Sequence, residues 1–239
     1  MKEKSEILIV FASDIEAESL QNKLIEKNIN LNKGKFFKLN NTRFEIFISG
    51  IGIPLTSYSF TKKILSEKYN LVINAGICGS YSEDLSVGDC VSVIMDEFAD
   101  MGVTYKDNTF KTLFEEGLLK PDIRPFSSGK LYNRLKSNID TELPKVTAIT
   151  VNNVSGNKEQ IEFRREKFSP DIESTEGAAV AYVCIQEKIN FLQIRAVSNM
   201  VEERNKKKWD IPLALDNLGD ELFRISRKIS DKNQEIIIK

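Results

Sequence analysis

With no histidine among its 239 residues, this chain must run any acid–base chemistry through carboxylates, amides, tyrosines, lysines or cysteines. Ser-His-Asp and Cys-His nucleophile systems are excluded, as is every metal site built on imidazole. Cys78, Cys90 and Cys184 are an odd number at wide spacing without a Cys-x-x-Cys, so neither a disulfide framework nor a zinc cluster is indicated. Each sits among small or apolar residues and reads as a buried free thiol. The remaining chemistry gathers just after apolar runs: Asp14, Glu16 and Glu18, then glycines at 50, 52, 76 and 79, then 152–156, Thr175-Glu176 and Ser198-Asn199. A carboxylate in such a place can act as a base or simply favour a helix start. Gly-x-x-Gly alone is a tight turn. No Gly-x-Gly-x-x-Gly follows the first run and no Walker sequence occurs, so dinucleotide and nucleoside-triphosphate binding lose support.

Those residues need elements to hold them. The run 7–12 (ILIVFA) reads as a strand buried on both faces, with Asp14 as a cap and 15–27 as a helix. Segments 36–39 and 44–49 flank Asn40-Asn41 as a hairpin. Gly50 to Gly52 make a turn, and Pro54 opens a helix running to about residue 69. Strands are predicted over 71–75, 87–98, 146–151 and 191–198, the second of these following a turn at 76–79. Helices are predicted over 158–167, 176–187 and 211–229, and 107–129 is irregular. Alternating strands and helices imply a three-layer α/β/α single domain with a mixed central sheet. Ligands of open α/β sheets bind beyond the carboxyl ends of the strands, where these polar residues fall.

Composition narrows the function classes. Lys+Arg is 34 and Asp+Glu 35, a net charge of −1, so no basic field exists to hold a nucleic acid or an anionic membrane. The charged start is not a signal peptide and no apolar run could span a bilayer, which points to a reducing, cytoplasmic setting. Nothing calls for a cofactor or metal.

The segment 72–89, VINAGICGSYSEDLSVGD, resembles the central glycine motif of the purine nucleoside phosphorylase and nucleosidase superfamily. DIESTEGAAVAYVC (171–184) is similar to its ribose-binding strand and helix, and FLQIRAVSNMVEERN (191–205) to its purine-facing strand and loop. The three motifs fall in the family's order, and the resemblance covers the chain from 7 to about 229. Glu-Ser-x-Glu-Gly-Ala-Ala at 173–179, Arg-Ala-x-Ser-Asn at 195–199, Arg204-Asn205 and Trp-x-Ile-Pro-Leu at 209–213 resemble the futalosine hydrolases, cousins of the methylthioadenosine/S-adenosylhomocysteine nucleosidases. The resemblance implies a nucleoside phosphorylase-like domain over 1–230 with a frayed tail at 231–239. It implies release of hypoxanthine from futalosine on a menaquinone route. It also implies a homo-oligomer, with 96–102 at a subunit boundary. The alternatives are an adenine-releasing nucleosidase and a non-catalytic nucleoside-binding domain.

Residue roles follow from the same resemblance. Where phosphorylases hold phosphate with arginines and a hydroxyl, the matching positions are Asn74 and Ile77, and no arginine precedes Arg43, so water is the expected nucleophile. Glu16 matches the glutamate that activates water and stabilises an oxocarbenium-like centre, with Asp14 and Glu18 one alignment step away. Glu176 matches the acceptor for the ribose hydroxyls, with Thr175 lining the sugar. Asn153 and Val154 fall at the base wall, where the family's phenylalanine is missing. Adenine-specific relatives have aspartate where this chain has Asn199; an amide offers a donor to a 6-oxo group and an acceptor for an N7 proton. Gly76, Ser198 and Arg195 support the site, Arg195 by bracing Asn199 or the strand end. Arg204 and Trp209 are candidates to anchor a benzoate-bearing tail, against a plain reading of 202–208 as a solvated turn.

Overall fold

The computed structural model describes residues 5–133 and 141–231 of the chain. β1 (Ser5–Phe11), β4 (Leu71–Ser80) and β11 (Phe191–Met200) are the near-continuous apolar runs, and they lie as parallel neighbours in mid-sheet. Apolar residues on both faces are what burial on both faces requires. β3 (Thr42–Ile48) extends the sheet in parallel beyond β1, and β2 (Phe36–Leu39) folds back on it across the Asn40-Asn41 turn. On the other side, β5 (Cys90–Phe98) runs antiparallel to β11 and parallel to β9 (Lys145–Thr150). β10 (Ile172–Ser174) pairs with β9 and, antiparallel, with β4. Strands β4, β11, β5, β9 and β10 therefore close a ring, filled by Val91, Val93, Val146, Ala148, Ile172 and Val197. β8 (Leu131–Tyr132) lines β5, and β6 (Gly102–Thr104) pairs with β7 (Phe110–Thr112) as a separate hairpin.

Helices cover both faces, as the alternation of elements implies. α1 (Asp14–Glu26) and α5 (Ile211–Asp231) pack Leu20, Leu24, Leu218 and Leu222 onto Ile9, Ile73 and Ile194. α2 (Ile53–Ser66) and α4 (Gly177–Glu187) pack Phe60, Ile64, Ala178 and Ala181 onto Leu8, Val10 and Val72. α3 (Lys158–Phe168) closes the rim of the ring with Ile161 and Phe168. The result is a three-layer α/β fold with a mixed central sheet.

Several local expectations need correction. The cap of α1 is Ser13, not Asp14. The glycines at 76 and 79 lie inside β4 rather than in a turn after it, because β11 and β10 supply hydrogen-bond partners along that stretch. The next strand begins at Cys90, since Gly88 turns the chain at φ 96°. Asn199 lies within β11, not in a loop beyond it. Cys90 is half-buried, whereas Cys78 and Cys184 are buried thiols. Within the segment 96–102, Asp96 is 1% exposed while Gly102 is exposed. Of the expected tail, Asp231 ends α5 and 232–239 lie outside the described residues. No described helix is long and apolar enough to cross a membrane.

Candidate active site

Ser13 and Glu16 form a capping box: Ser13 Oγ accepts from Glu16 N at 3.4 Å, and Glu16 Oε2 accepts from Ser13 N at 3.1 Å. The helix-start reading of Glu16 is therefore realised, yet it uses only one carboxylate oxygen. The other, Oε1, reaches β4 and accepts from Ile77 N at 3.1 Å. Ile77 enters through its backbone, while its side chain packs at the edge of the core. Asp14 and Glu18 are exposed; Glu16 alone of the three turns inward.

Gly76 explains how a second group reaches the same spot. A Cβ there would stand 2.6 Å from Glu16 Oε1 and 2.7 Å from Arg195 Nη1, so the absence of a side chain permits the approach of both. Arg195 is cross-strand neighbour to Gly76, and Asn199 to Gly79, so the Arg195 guanidinium and the Glu16 carboxylate both lie over Gly76. The guanidinium is 2% exposed, and its Nε and Nη2 have no hydrogen-bond partner among the described residues. A buried cation with free donors is costly, and it suits an oxygen placed between it and Glu16. Burial pushes the Glu16 pKa above its ordinary value. The Arg195 charge and the Ile77 N–H oppose that shift, and the nearby Glu176 charge adds to it.

Glu176 stands just before α4 and is 7% exposed. Its Oε1 accepts from Gly52 N at 2.8 Å and from Thr175 Oγ1 at 2.5 Å. Gly52 takes φ 87°, in the left-handed region that favours glycine, so the turn after β3 aims its N–H at this carboxylate. Asn199 is presented differently. The β4–β11 register slips between Val197 and Asn199, making Ser198 the extra residue of a bulge. Ser198 Oγ lies 2.9 Å from Asn199 Oδ1 and 3.1 Å from Cys78 O, and Asn199 Nδ2 donates to Met200 O at 2.9 Å. One amide hydrogen and one carbonyl lone pair remain for a ligand.

The loop after β9 carries Asn153 and Val154, and a buried cluster that sequence reasoning missed holds it. Arg164 Nη2 donates to Asn153 O at 2.7 Å, Arg164 pairs with Glu173 at 3.0 Å, and Ser155 N donates to Glu173 Oε1 at 2.8 Å. Arg164 sits in a helix that reads as charged surface, yet it is 3% exposed; only Glu173, within the 173–179 motif, gave a signal. Arg204 N donates to Gly156 O, its guanidinium lies 5.5 Å from the Trp209 ring centroid, and Asp210 N donates to Ser198 O. Arg204 and Trp209 thus border the corner between this loop and the bulge. Along β4, Ile77 and Gly79 separate the Glu16 and Asn199 contacts by two residues, about 7 Å. Two cavities of about 400 and 420 Å³ lie elsewhere and include none of these residues.

The order and mixed pairing of the strands, with helices on both faces, define a nucleoside phosphorylase-like α/β fold. The chain belongs to the Phosphorylase superfamily, whose profile matches residues 6–229. It is similar to 5′-methylthioadenosine/S-adenosylhomocysteine nucleosidase of Haemophilus ducreyi, at 28% identity over 77% of this chain and 79% of that one. It is also similar to the futalosine hydrolase of Acidothermus cellulolyticus, at 28% identity over 73% and 71%. The Helicobacter pylori 5′-methylthioadenosine/S-adenosylhomocysteine nucleosidase structure superposes with TM-score 0.76 at 18% identity, covering 95% of this chain and 100% of that one.

Proposed function

We propose that the chain is an N-ribosyl hydrolase of purine nucleosides and that its substrate is futalosine, released as hypoxanthine and dehypoxanthine futalosine. A water held between Glu16 and Arg195 gives its proton to Glu16 as its oxygen bonds to C1′. The C1′–N9 bond breaks through an oxocarbenium-like state that the Glu16 charge stabilises; its electron pair leaves with the base, which takes a proton from solvent at N7. Glu176 accepts from the ribose hydroxyls, with Thr175 beside the sugar. Asn199 donates to the 6-oxo group and accepts an N7 proton, while Val154 and Asn153 wall the base. Arg204 and Trp209 border that wall, and an anchor for the far end of the substrate is proposed there. The catalytic unit is taken as residues up to 230, working as a homo-oligomer.

The observation that carries the choice of base is Asn199, an amide held on the bulge where a carboxylate would repel a 6-oxygen. Similarity to methylthioadenosine/S-adenosylhomocysteine nucleosidases favours a second reading, adenine release. Chromatography of the bases released from futalosine, inosine and methylthioadenosine without phosphate separates them. Hypoxanthine from futalosine alone is expected. Adenine from methylthioadenosine would keep the chemistry and replace the substrate. No base from any of the three would remove the hydrolase reading.

A further inference from the structure

Glu176 occupies the N-cap position of α4, yet its side chain makes no cap hydrogen bond and is turned to Gly52 N and Thr175. The first amides of a helix need acceptors, and the cap side chain ordinarily supplies one. Here other residues do so. Ser174 Oγ accepts from Gly177 N at 3.3 Å, and Thr150 Oγ1, from β9, accepts from Ala178 N at 2.8 Å. A hydroxyl accepts well when its own hydrogen is committed elsewhere, and Thr150 donates its hydrogen to Asp96 Oδ1 at 2.9 Å. The second Asp96 oxygen accepts from Gln193 Nε2 at 2.8 Å, so the carboxylate is fixed from both sides. A Cβ on Gly177 would lie 2.3 Å from Asp96 Oδ2, which places the buried anion directly under the helix N-terminus, where its field is favourable.

We propose that Asp96, acting through Thr150, is a positioning residue: it takes over the capping of α4 and so leaves the Glu176 carboxylate free to face the sugar. The inference rests on the reading of Glu176 as the acceptor for the ribose hydroxyls. Its signature is loss of discrimination at those hydroxyls, not loss of turnover in general. The measurement is kcat/KM for futalosine relative to its 2′-deoxyribosyl analogue, on the full chain. Thr150→Val keeps the shape and removes the hydroxyl; it should lower the ratio of futalosine to its 2′-deoxyribosyl analogue about tenfold, the order of one lost cap. Thr150→Ser restores the hydroxyl and should restore the ratio. Asp96→Ala, a second route should the valine variant not fold, should lower the ratio in the same way. Glu176→Gln separates the two levels of the argument. An unchanged ratio there would refute the sugar role itself. A collapsed ratio there, with an unchanged ratio in Thr150→Val and Asp96→Ala, would overturn the positioning role alone. Equal losses on both nucleosides in the Thr150 and Asp96 variants would also overturn it, as a purely structural effect.

Discussion

At the scale of single residues, Glu16 serves two neighbours with two oxygens, and the functional reading depends on separating them. Glutamine keeps one acceptor oxygen and sets its NH2 against the other donor, so Glu16→Gln holds either the Ser13 cap or the Ile77 contact and should fold with a loss of about 1–3 kcal/mol. Its turnover should fall by about 10²–10⁴-fold, the usual worth of a positioned base, while substrate still binds. Near-normal turnover would take Glu16 out of the mechanism. Because burial holds the Glu16 pKa above 4.5, the acid limb of kcat should lie above that of an ordinary glutamate. A base must be ionised, so activity is lost as pH falls through this raised value. Arg195 opposes the shift; Arg195→Met should therefore move the limb to still higher pH, and a limb that stays in place would show that the two groups are not coupled. Asn199→Asp tests the other end of the site. It should shift preference from 6-oxo toward 6-amino nucleosides, and an unaltered ratio of hypoxanthine to adenine release would end the argument from the amide.

At the scale of elements, the sequence reveals runs and hides approaches. The strands at 7–12, 71–75 and 191–198 and the helix at 211–229 are legible because burial on both faces, or one apolar stripe, leaves a pattern in the residues themselves. The glycines at 76 and 79 read as a turn because what makes them strand is β10 and β11, whose pairing no local pattern announces. The same blindness hid the meeting of Glu16 with Arg195, 179 positions apart, and the burial of Arg164 inside a helix whose composition looks solvated. Gly76 gives this a test at the scale of the strand. Its φ is not in the left-handed region, so alanine is conformationally acceptable there; what opposes it is the two charged side chains within 2.7 Å of the added carbon. Gly76→Ala should lower kcat by at least tenfold while shifting stability by only about 1–3 kcal/mol, the usual cost of overpacking. A folded variant with full activity would mean that Glu16 and Arg195 need not converge.

At the scale of the whole molecule, the ring closed by β10 on β4 brings β5, β9, β11 and the start of α4 around one buried carboxylate, Asp96. Burial pushes its pKa up to about 6 from an ordinary 3.8, against the pull of Gln193, Thr150 and Arg195. The folded chain then keeps this proton to higher pH than the unfolded chain does. Between about pH 4 and 6 the native state binds more protons, so this group makes stability fall as pH rises, and the loss levels off above pH 6. Two pKa units correspond to about 3 kcal/mol at most. Glu16 and Glu97 are also raised by burial and act with the same sign, so the wild-type profile alone cannot isolate Asp96. The difference between two proteins can. Asp96→Asn leaves the other two untouched and removes the titration at the centre of the ring. Urea unfolding at pH 4 and pH 7 should therefore show the variant gaining on the wild type by about 2–3 kcal/mol from the lower pH to the higher. A gap that stays constant across that range would mean that the ring carries Asp96 without strain on its charge, held by its hydrogen bonds as comfortably as water would hold it.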